Sequence, residues 1–386
     1  MKILHIIPSL RKGGAERLAL DMCNGLAEVS GIVVKLICFS DSNDYQDLSA
    51  HQQVEVIPSG ISLSLYKKNK FRIQELQGEI EKYAPDVIHT HLFEAEIISR
   101  CVHYPRAVWF SHCHDNMVQF ESFSWKTLFS KKRLTNFYEK KFLLNRYKAN
   151  GGTHFIAISE DARKYFEKTA PEYPLTLLNN AVDYKKFYRK KEITDGGGSL
   201  RLLNIGSFVS KKNQAFLLDV CRVLVQKKID FELHLLGDGE NRKALEEKAK
   251  TMRLEGRIFF HGNVDNVEEF LWNSDIYLHS ATYEPFGLVL LEAMAAGLPV
   301  VTLDGRGNRD VMEQGKNGYM LFEPNAEAFA EKITELWRDK EKYREISRYA
   351  QMHAQKFDIK QYVTRLLEIY RKDDGNSGKK THERKK

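Results

Sequence analysis

Apolar runs of strand length alternate with longer amphipathic stretches along almost the whole chain, and this rhythm restricts the fold more than any other feature. Residues 2–7, 33–39, 54–57, 86–89, 107–110 and 155–158 read as strands. Helical periodicity fills the intervals at 15–28, 73–83, 94–101 and 159–168, with Ser159 as an N-cap. Strands separated by helices imply a parallel sheet with helices on both faces. A break falls at Thr194-Asp-Gly-Gly-Gly-Ser199, and the rhythm then starts again. Strands are expected at 200–205, 231–236, 258–260, 276–278 and 300–303, and helices at 213–227, 242–251, 267–271 and 287–296. We therefore expect an α/β chain of two doubly wound domains, residues 1–180 and 181–356, facing across a cleft. Ligands of such sheets sit outside the carboxyl ends of the strands. Helical pattern continues at 326–337, 341–356 and 359–370; segment 357–370 is expected to pack back on the first domain, and 371–386 to be a disordered tail.

Composition limits where such a chain works. Its 386 residues are enough for two cores. The five cysteines are scattered, without a CxxC or a zinc spacing, which suits reduced thiols and a cytoplasmic setting. The N-terminus is interrupted too early for a signal peptide, and no apolar run approaches the ~20 residues that span a bilayer. Net charge is +7, and the excess clusters. The stretch that opens at Lys126 and closes at Lys148 has eight Lys or Arg and one acid, Glu139. Leu134, Phe137, Phe142, Leu143 and Tyr147 are interleaved with the charges, and Trp125 stands at the start. Two readings remain open: contact with an anionic membrane surface, or a solvated helix whose apolar stripe packs on its own domain. A second basic run spans 66–72. No nucleic-acid motif accompanies either patch, so no nucleic-acid partner is expected.

Candidate chemistry concentrates in Glu284-Pro-Phe-Gly-Leu-Val-Leu-Leu-Glu292. Pro285 suits the first turn of a helix and Gly297 its stop. A helix opening on Phe286, Gly287 and Leu288 presents free N–H groups and partial positive charge, a seat for a phosphate. An acid in an apolar helix needs hydrogen-bond partners, and ligand hydroxyls could supply them. The ordinary alternative is a loop acid and a surface acid paired with a base.

Other motifs lie at strand ends. Gly13 and Gly14 follow the first strand and would let a ligand approach the backbone; they form neither a G-x-G-x-x-G nor a Walker A loop. His112, Cys113 and His114 end one run, and His89 and His91 another. Neighbours one or two apart on an extended chain converge poorly on an ion, and no further ligand cluster is evident, so no metal is expected. For His89 and His91 the preferred reading is a hydrogen-bonded, non-catalytic histidine. Gly206 and Ser207 lead to Lys211 and Lys212 at the start of a helix. A cation there opposes the helix dipole unless an anion intervenes, which hints at a diphosphate. Gly237 and Gly239 end the next strand.

These pieces resemble retaining glycosyltransferases of the GT-B fold, glycosyltransferase family 4, the group 1 transferases. The matching residues are Asn204-Ile-Gly206 with Lys212-Asn213, Leu235-Leu-Gly237-Asp-Gly239, Phe260-His-Gly262, the Glu284 to Glu292 block with Gly297-Leu-Pro-Val300, and Asn317-Gly-Tyr319. In the first half they are Gly13-Gly14, Pro85-Asp-Val-Ile-His89 and Ile156-Ala-Ile-Ser159. The resemblance implies two Rossmann-like domains. It assigns Glu292 to the donor ribose, Glu284 to the donor sugar hydroxyls, and the backbone of Phe286, Gly287 and Leu288 to phosphate or sugar oxygens. It assigns Lys212 to the diphosphate, and it lets Gly14 approach the same phosphates. His114 is similar to the family histidine near the reacting sugar, with His112 as the alternative. Ser207 stands where the family often has Arg. No D-x-D occurs, so a lysine and a helix N-terminus would stabilise the leaving diphosphate without a metal or other cofactor.

The expected function is retaining transfer of a hexose or N-acetylhexosamine from a nucleotide sugar, UDP-type favoured, to a lipid-linked surface-polysaccharide acceptor. The expected location is the cytoplasm, with peripheral contact on the cytoplasmic face of a membrane. The competing readings are a nucleotide-sugar epimerase on the same fold and a non-catalytic nucleotide-binding protein of the membrane surface.

Overall fold

The computed structural model describes all residues except 51, 65, 66, 122, 124, 126–128, 192–197 and 384–386, and only the backbone of 373–383. Most of the glycine-rich break and the start of the basic stretch thus lie outside the described residues. The chain divides into two compact units, Met1–Ala181 with Ile359–Lys386, and Val182–Asp358.

The first unit is built on strands β1 (Lys2–Ile7), β2 (Val33–Cys38), β3 (Val54–Val56), a small hairpin β4 (Gly60–Ser62) and β5 (Lys70–Arg72), then β6 (Val87–His91), β7 (Val108–Cys113), β8 (His154–Ala157) and β9 (Leu175–Leu177). Seven of them form a sheet in the order β3-β2-β1-β6-β7-β8-β9, with every pair parallel. Helices α1 (Gly14–Ala27), α2 (Gln46–Ser49), α3 (Gln74–Tyr83), α4 (Leu92–Ser99), α5 (Lys131–Ala149) and α6 (Glu160–Thr169) connect them. Both faces are covered, so the central strands are buried at consecutive positions, all five residues of β6 among them. Ser159 caps α6, its Oγ accepting the Ala162 N–H at 3.2 Å.

The second unit repeats the plan. After α7 (Tyr184–Phe187) come β10 (Leu200–Ile205), α8 (Gln214–Gln226), β11 (Phe231–Leu236), α9 (Arg242–Thr251), β12 (Ile258–Gly262), α10 (Val267–Trp272) and β13 (Ile276–His279). They are followed by α11 (Leu288–Ala295), β14 (Val300–Leu303), β15 (Gly318–Leu321), α12 (Ala326–Arg338) and α13 (Lys340–Gln355). The sheet order is β12-β11-β10-β13-β14-β15. Short elements the periodicity missed are the β4–β5 hairpin, β9, α7 and β15, each of three or four residues.

Helix α14 (Ile359–Glu383) belongs to the first unit, where Tyr362, Val363, Leu366, Leu367 and Tyr370 are buried. It lies close against α1: a Cβ on Gly25 would be 2.7 Å from Val363 Cγ2. Residues 371–383, read from composition as a disordered tail, continue this helix. Once the anchored turns are formed, each added residue gains a backbone hydrogen bond without a new nucleation cost, and the segment has no proline.

Candidate functional site

At the carboxyl ends of β10 and β13 the second unit gathers a buried charge cluster. Glu284 is 8% exposed. Its Oε2 accepts from Lys212 Nζ at 2.5 Å and lies 3.0 Å from His279 Nε2. Burial alone would raise the Glu284 carboxyl, but Lys212 and then His279 overcome it and hold it at about 2. His279 is lowered by burial, against the pull of Glu284, and its Nδ1 is buried without a partner.

The backbone around Glu284 is fixed on both sides. Its N–H donates to Gly305 O at 2.8 Å, and its carbonyl accepts from Gly307 N at 3.0 Å. Asn308 braces that loop, accepting from Gly305 N at 2.9 Å and donating to Leu303 O at 2.9 Å. Lys212 closes a 3₁₀ turn, Ser210–Lys212, and its carbonyl accepts from Ser280 Oγ at 2.8 Å. The cation that opposed the helix dipole therefore meets an anion from within the chain, the Glu284 carboxylate.

Pro285 lies ahead of α11 instead of in its first turn, and Gly287 is the N-cap with φ 97°. Only the left-handed backbone lets the chain swing from the Glu284 loop into the helix there, and glycine adopts it without strain. Phe286 is buried against Phe357, Leu288 is half-buried, and Glu292 follows Leu288 by one turn on the same face. Both glutamates act on one neighbour, Tyr277, whose phenol is raised by burial and then by the charges of Glu284 and Glu292.

Gly206, Ser207 and Gly237 occupy touching loops. A Cβ on Gly237 would stand 2.2 Å from Gly206 O, so the glycine is needed for backbone packing whatever binds there. Ser207 and Lys211 are exposed. In the first unit, Gly13 N donates to Tyr45 Oη at 3.0 Å, and the Glu16 carboxylate lies over the same turn, 2.2 Å from where a Gly13 Cβ would be. An anion approaching Gly13 thus meets an engaged N–H and an acid.

The histidines are grouped in a way the sequence did not show. His5 on β1 pairs in register with His89 on β6, and His91 with His112 on β7. Residues two apart on a strand share a face, so His5, His89, His91, His112 and His114 line one side of the sheet. The expectation that no ligand cluster accompanies His112 and His114 is overturned, because β1 and β6 bring three more rings alongside. Ligand atoms of His5, His89 and His91, and of His91, His112 and His114, lie within 4.8 Å of one another. The rings differ in tilt, 16° between His112 and His114, 27° between His91 and His112 and 39° between His91 and His114. Their nitrogens are paired with one another by hydrogen bonds, His5 with His91, His91 with His114 and His89 with His112. His89 and His91 are both hydrogen-bonded and buried. His112 sits inside β7, fully buried, whereas His114 lies just past its end with 8% exposure.

His279 and Asn308 escaped the sequence reading. His279 had the same signal that drew attention to His114, a polar residue closing an apolar run; Asn308 had none.

Two α/β units, each built on a parallel sheet, with a charge cluster at the strand ends of one, are the parts of which a GT-B protein is made. Family models match adjoining stretches: Glycosyltransferase Family 4 over residues 12–186 and Glycosyl transferases group 1 over residues 186–353. The chain belongs to the GT-B glycosyltransferases of group 1, family 4. It is 26% identical over 323 residues to the putative glycosyltransferase EpsF of Bacillus subtilis, covering 78% of this chain and 79% of that one. It is 29% identical over 219 residues to N-acetyl-alpha-D-glucosaminyl L-malate synthase of Bacillus anthracis. That match takes in 54% of this chain and 57% of the relative, so the chain spans little more than half of that protein's length. Among solved structures, Anabaena HepE in complex with UDP and glucose superposes with a TM-score of 0.75 at 21% identity, covering 96% of this chain and 99% of that one. WaaG, a glycosyltransferase involved in lipopolysaccharide biosynthesis, does so at 0.70 and 18%, over 95% and 99%.

Proposed function

We propose that the protein transfers a hexose or N-acetylhexosamine from a nucleotide sugar, of UDP type, to a lipid-linked surface glycan with retention of anomeric configuration. The observation that carries this reading is the buried Lys212–Glu284–His279 cluster beside the N-terminus of α11. Glu284 neutralises Lys212 in the structure. When a donor enters, its diphosphate takes over the Lys212 ammonium, and sugar hydroxyls donate to the released Glu284 carboxylate. Glu292 binds the ribose, and the N–H groups from Phe286 to Leu288 face phosphate or sugar oxygens.

Breaking the bond between the anomeric carbon and the diphosphate leaves negative charge on the leaving group. Lys212 and the α11 dipole stabilise that charge without reorganising. The acceptor hydroxyl bonds to the same face of the anomeric carbon and passes its proton to a donor phosphate oxygen. His114, at the carboxyl end of β7, is assigned to the reacting sugar. No metal or cofactor is assigned a role. Support for a UDP donor comes from HepE, described with UDP and glucose. Support for a surface glycan comes from the lipopolysaccharide core biosynthesis glycosyltransferase LpsE of Rhizobium meliloti, 35% identical over 138 residues, 36% of this chain.

The acceptor is proposed to be reached at the membrane surface. Among the described residues no helix is long and apolar enough to cross a bilayer. The apolar residues around α5 divide between the two roles weighed from sequence: Leu143 and Tyr147 are buried in the unit, while Trp125 and Phe129 are 74% and 77% exposed beside Lys131, Lys132 and Arg133. Indole and phenyl rings next to cations suit the headgroup region of an anionic leaflet.

The test is thermal stabilisation across UDP-, GDP- and ADP-sugars, followed by transfer assays with the donor that binds. A UDP-sugar should raise the melting temperature of the wild type and not of Lys212→Met. Failure of every nucleotide sugar to stabilise the protein would sink the reading. Donor alone yielding an altered sugar would point to epimerisation, and binding without turnover on any acceptor to a non-catalytic role.

A further inference from the structure

Three buried rings of the first unit form a hydrogen-bonded line. His5 Nδ1 lies 2.8 Å from His91 Nε2, and His91 Nδ1 lies 3.0 Å from His114 Nε2. Each strand supplies its ring from a different part of the chain: β1, β6 and the end of β7. Burial holds all three rings in the neutral form. The other charges that act on His91 are those of its neighbouring histidines, so no acid helps it keep a second proton.

A neutral imidazole has one N–H and one lone pair. His91 uses both nitrogens within the line, so it must accept from one neighbour and donate to the other. Two proton arrangements satisfy both contacts. In one, His5 donates from Nδ1, His91 donates from Nδ1, and His114 keeps its own N–H on Nδ1. In the other every proton is reversed, and His5 carries its N–H on Nε2. That nitrogen decides between them, because His5 Nε2 is buried with no hydrogen-bond partner. A stranded buried N–H is the more unfavourable end, as buried donors without acceptors are the rarest unpaired groups in folded proteins. The lone pair therefore sits on His5 Nε2, and each proton in the line points toward His114. His5 and His91 are fully buried, so the exposed end of the line is His114.

We propose that His5 and His91 are positioning residues that lock His114 in its Nδ1–H tautomer, so that His114 presents a hydrogen-bond donor at the exposed end of the line. This rests on the reading that assigns His114 to the reacting sugar. Its ligand is then an oxygen acceptor, a sugar hydroxyl or the carbonyl of an N-acetyl group. A ring with its only lone pair turned inward to His91 cannot take the acceptor's proton. That proton must go to another base, which agrees with the donor phosphate oxygen named above.

The lock is read directly by long-range proton–nitrogen NMR on the full-length protein labelled with ¹⁵N-histidine, His114 being assigned by its loss in His114→Gln. The wild type should show His114 as a single Nδ1–H tautomer. His91→Gln, whose amide can either donate to His114 Nε2 or accept from it, should release it, giving a mixed ring, while His89→Phe, in the neighbouring line, should leave it unchanged. If His91→Gln does not fold, His91→Asn supplies the same choice of donor or acceptor from a shorter side chain. With the true donor, the released variant should lose turnover by roughly tenfold to a hundredfold with little change in KM for the donor. An Nε2–H tautomer in the wild type, or a His114 signal indifferent to both His91→Gln and His91→Asn, would overturn the proposal. The tautomer is read without catalysis, so a locked ring in a protein that transfers no sugar would refute the transferase reading alone.

Discussion

Acid should unfold the first unit through its histidines, and the size of the effect follows from their burial. His5 and His112 are pushed down to about 3, and His89, His91 and His114 well below their ordinary value of 6.5, in each case first by burial. The direction of the linkage is set by these lowered values. Well above pH 6.5 the rings are neutral in both folded and unfolded chains, and the stability of the native state is complete. As pH falls below 6.5 the unfolded chain binds protons that the native unit excludes, and stability is lost until the native rings begin to titrate, near pH 3 for His5 and His112. At pH 6.5 each ring costs about 0.4 kcal/mol relative to alkaline solution, and at pH 5.5 about 1.4 kcal/mol. Five rings acting together remove about 7 kcal/mol at pH 5.5, with a limiting slope of similar size for each further pH unit. A domain is usually stable by roughly 5–15 kcal/mol, so the first unit should come apart between about pH 5.5 and 4.5. The assay must report on that unit alone. Urea unfolding read by pulsed hydrogen exchange and mass spectrometry, on peptides covering β1, β6 and β7, does so. His5→Leu should lower the slope by one proton, about 1.4 kcal/mol per pH unit. Uptake of one proton or fewer on unfolding between pH 6.5 and 5 would refute the reasoning, because it would mean the rings are hydrated or already charged in the native state.

Other consequences are as specific. Lys212→Met should leave Glu284 buried with only His279 for a partner, lowering stability by about 3 kcal/mol in denaturant titrations and turnover by roughly a hundredfold or more. Gly237→Ala should destabilise the second unit by about 1–3 kcal/mol in urea, since its Cβ would stand 2.2 Å from Gly206 O and its φ is 127°; an unchanged midpoint would count against the loop packing described. Arg100→Met should cost about 3–5 kcal/mol in urea unfolding, because it strands the buried Glu96 carboxylate that Arg100 Nε holds at 2.9 Å. The protein should sediment with anionic liposomes at low salt and be released at high salt, with Trp125→Ala and Phe129→Ala weakening the association. Indifference to anionic lipid would remove the membrane contact.

Much of the architecture was legible because it is local. Strands such as β10, β11 and β14 are apolar runs bounded by turn residues, and α9 and α12 carry helical periodicity over three turns. The elements missed were three or four residues long, too short for any period to register. The Glu284 to Glu292 block was legible for a different reason: Pro285, Gly287 and Gly297 dictate backbone conformation within a few residues of the acids, although Pro285 proved to lie before the helix instead of in its first turn. Where the Gly13 N–H goes was not legible, because Tyr45, which accepts it, lies thirty-two residues away. The helical continuation past Arg371 was missed because composition says nothing of the anchored turns before it.

By itself the sequence determined the alternation of strand and helix, the restart that makes two units, and the residue types available at each strand end. These depend on side-chain period and backbone preference, which act over one or two turns of chain. Tertiary structure alone decided who met whom. Strand order put β1 beside β6 and β6 beside β7, and so turned five scattered histidines into one stack of neutral rings. It brought Lys212 to Glu284 across seventy-two residues and placed His279 behind them. Such neighbours are chosen by packing of whole sheets and helices, and the low polarity of the interior they create then gives each of these groups its charge state and its hydrogen-bonding role.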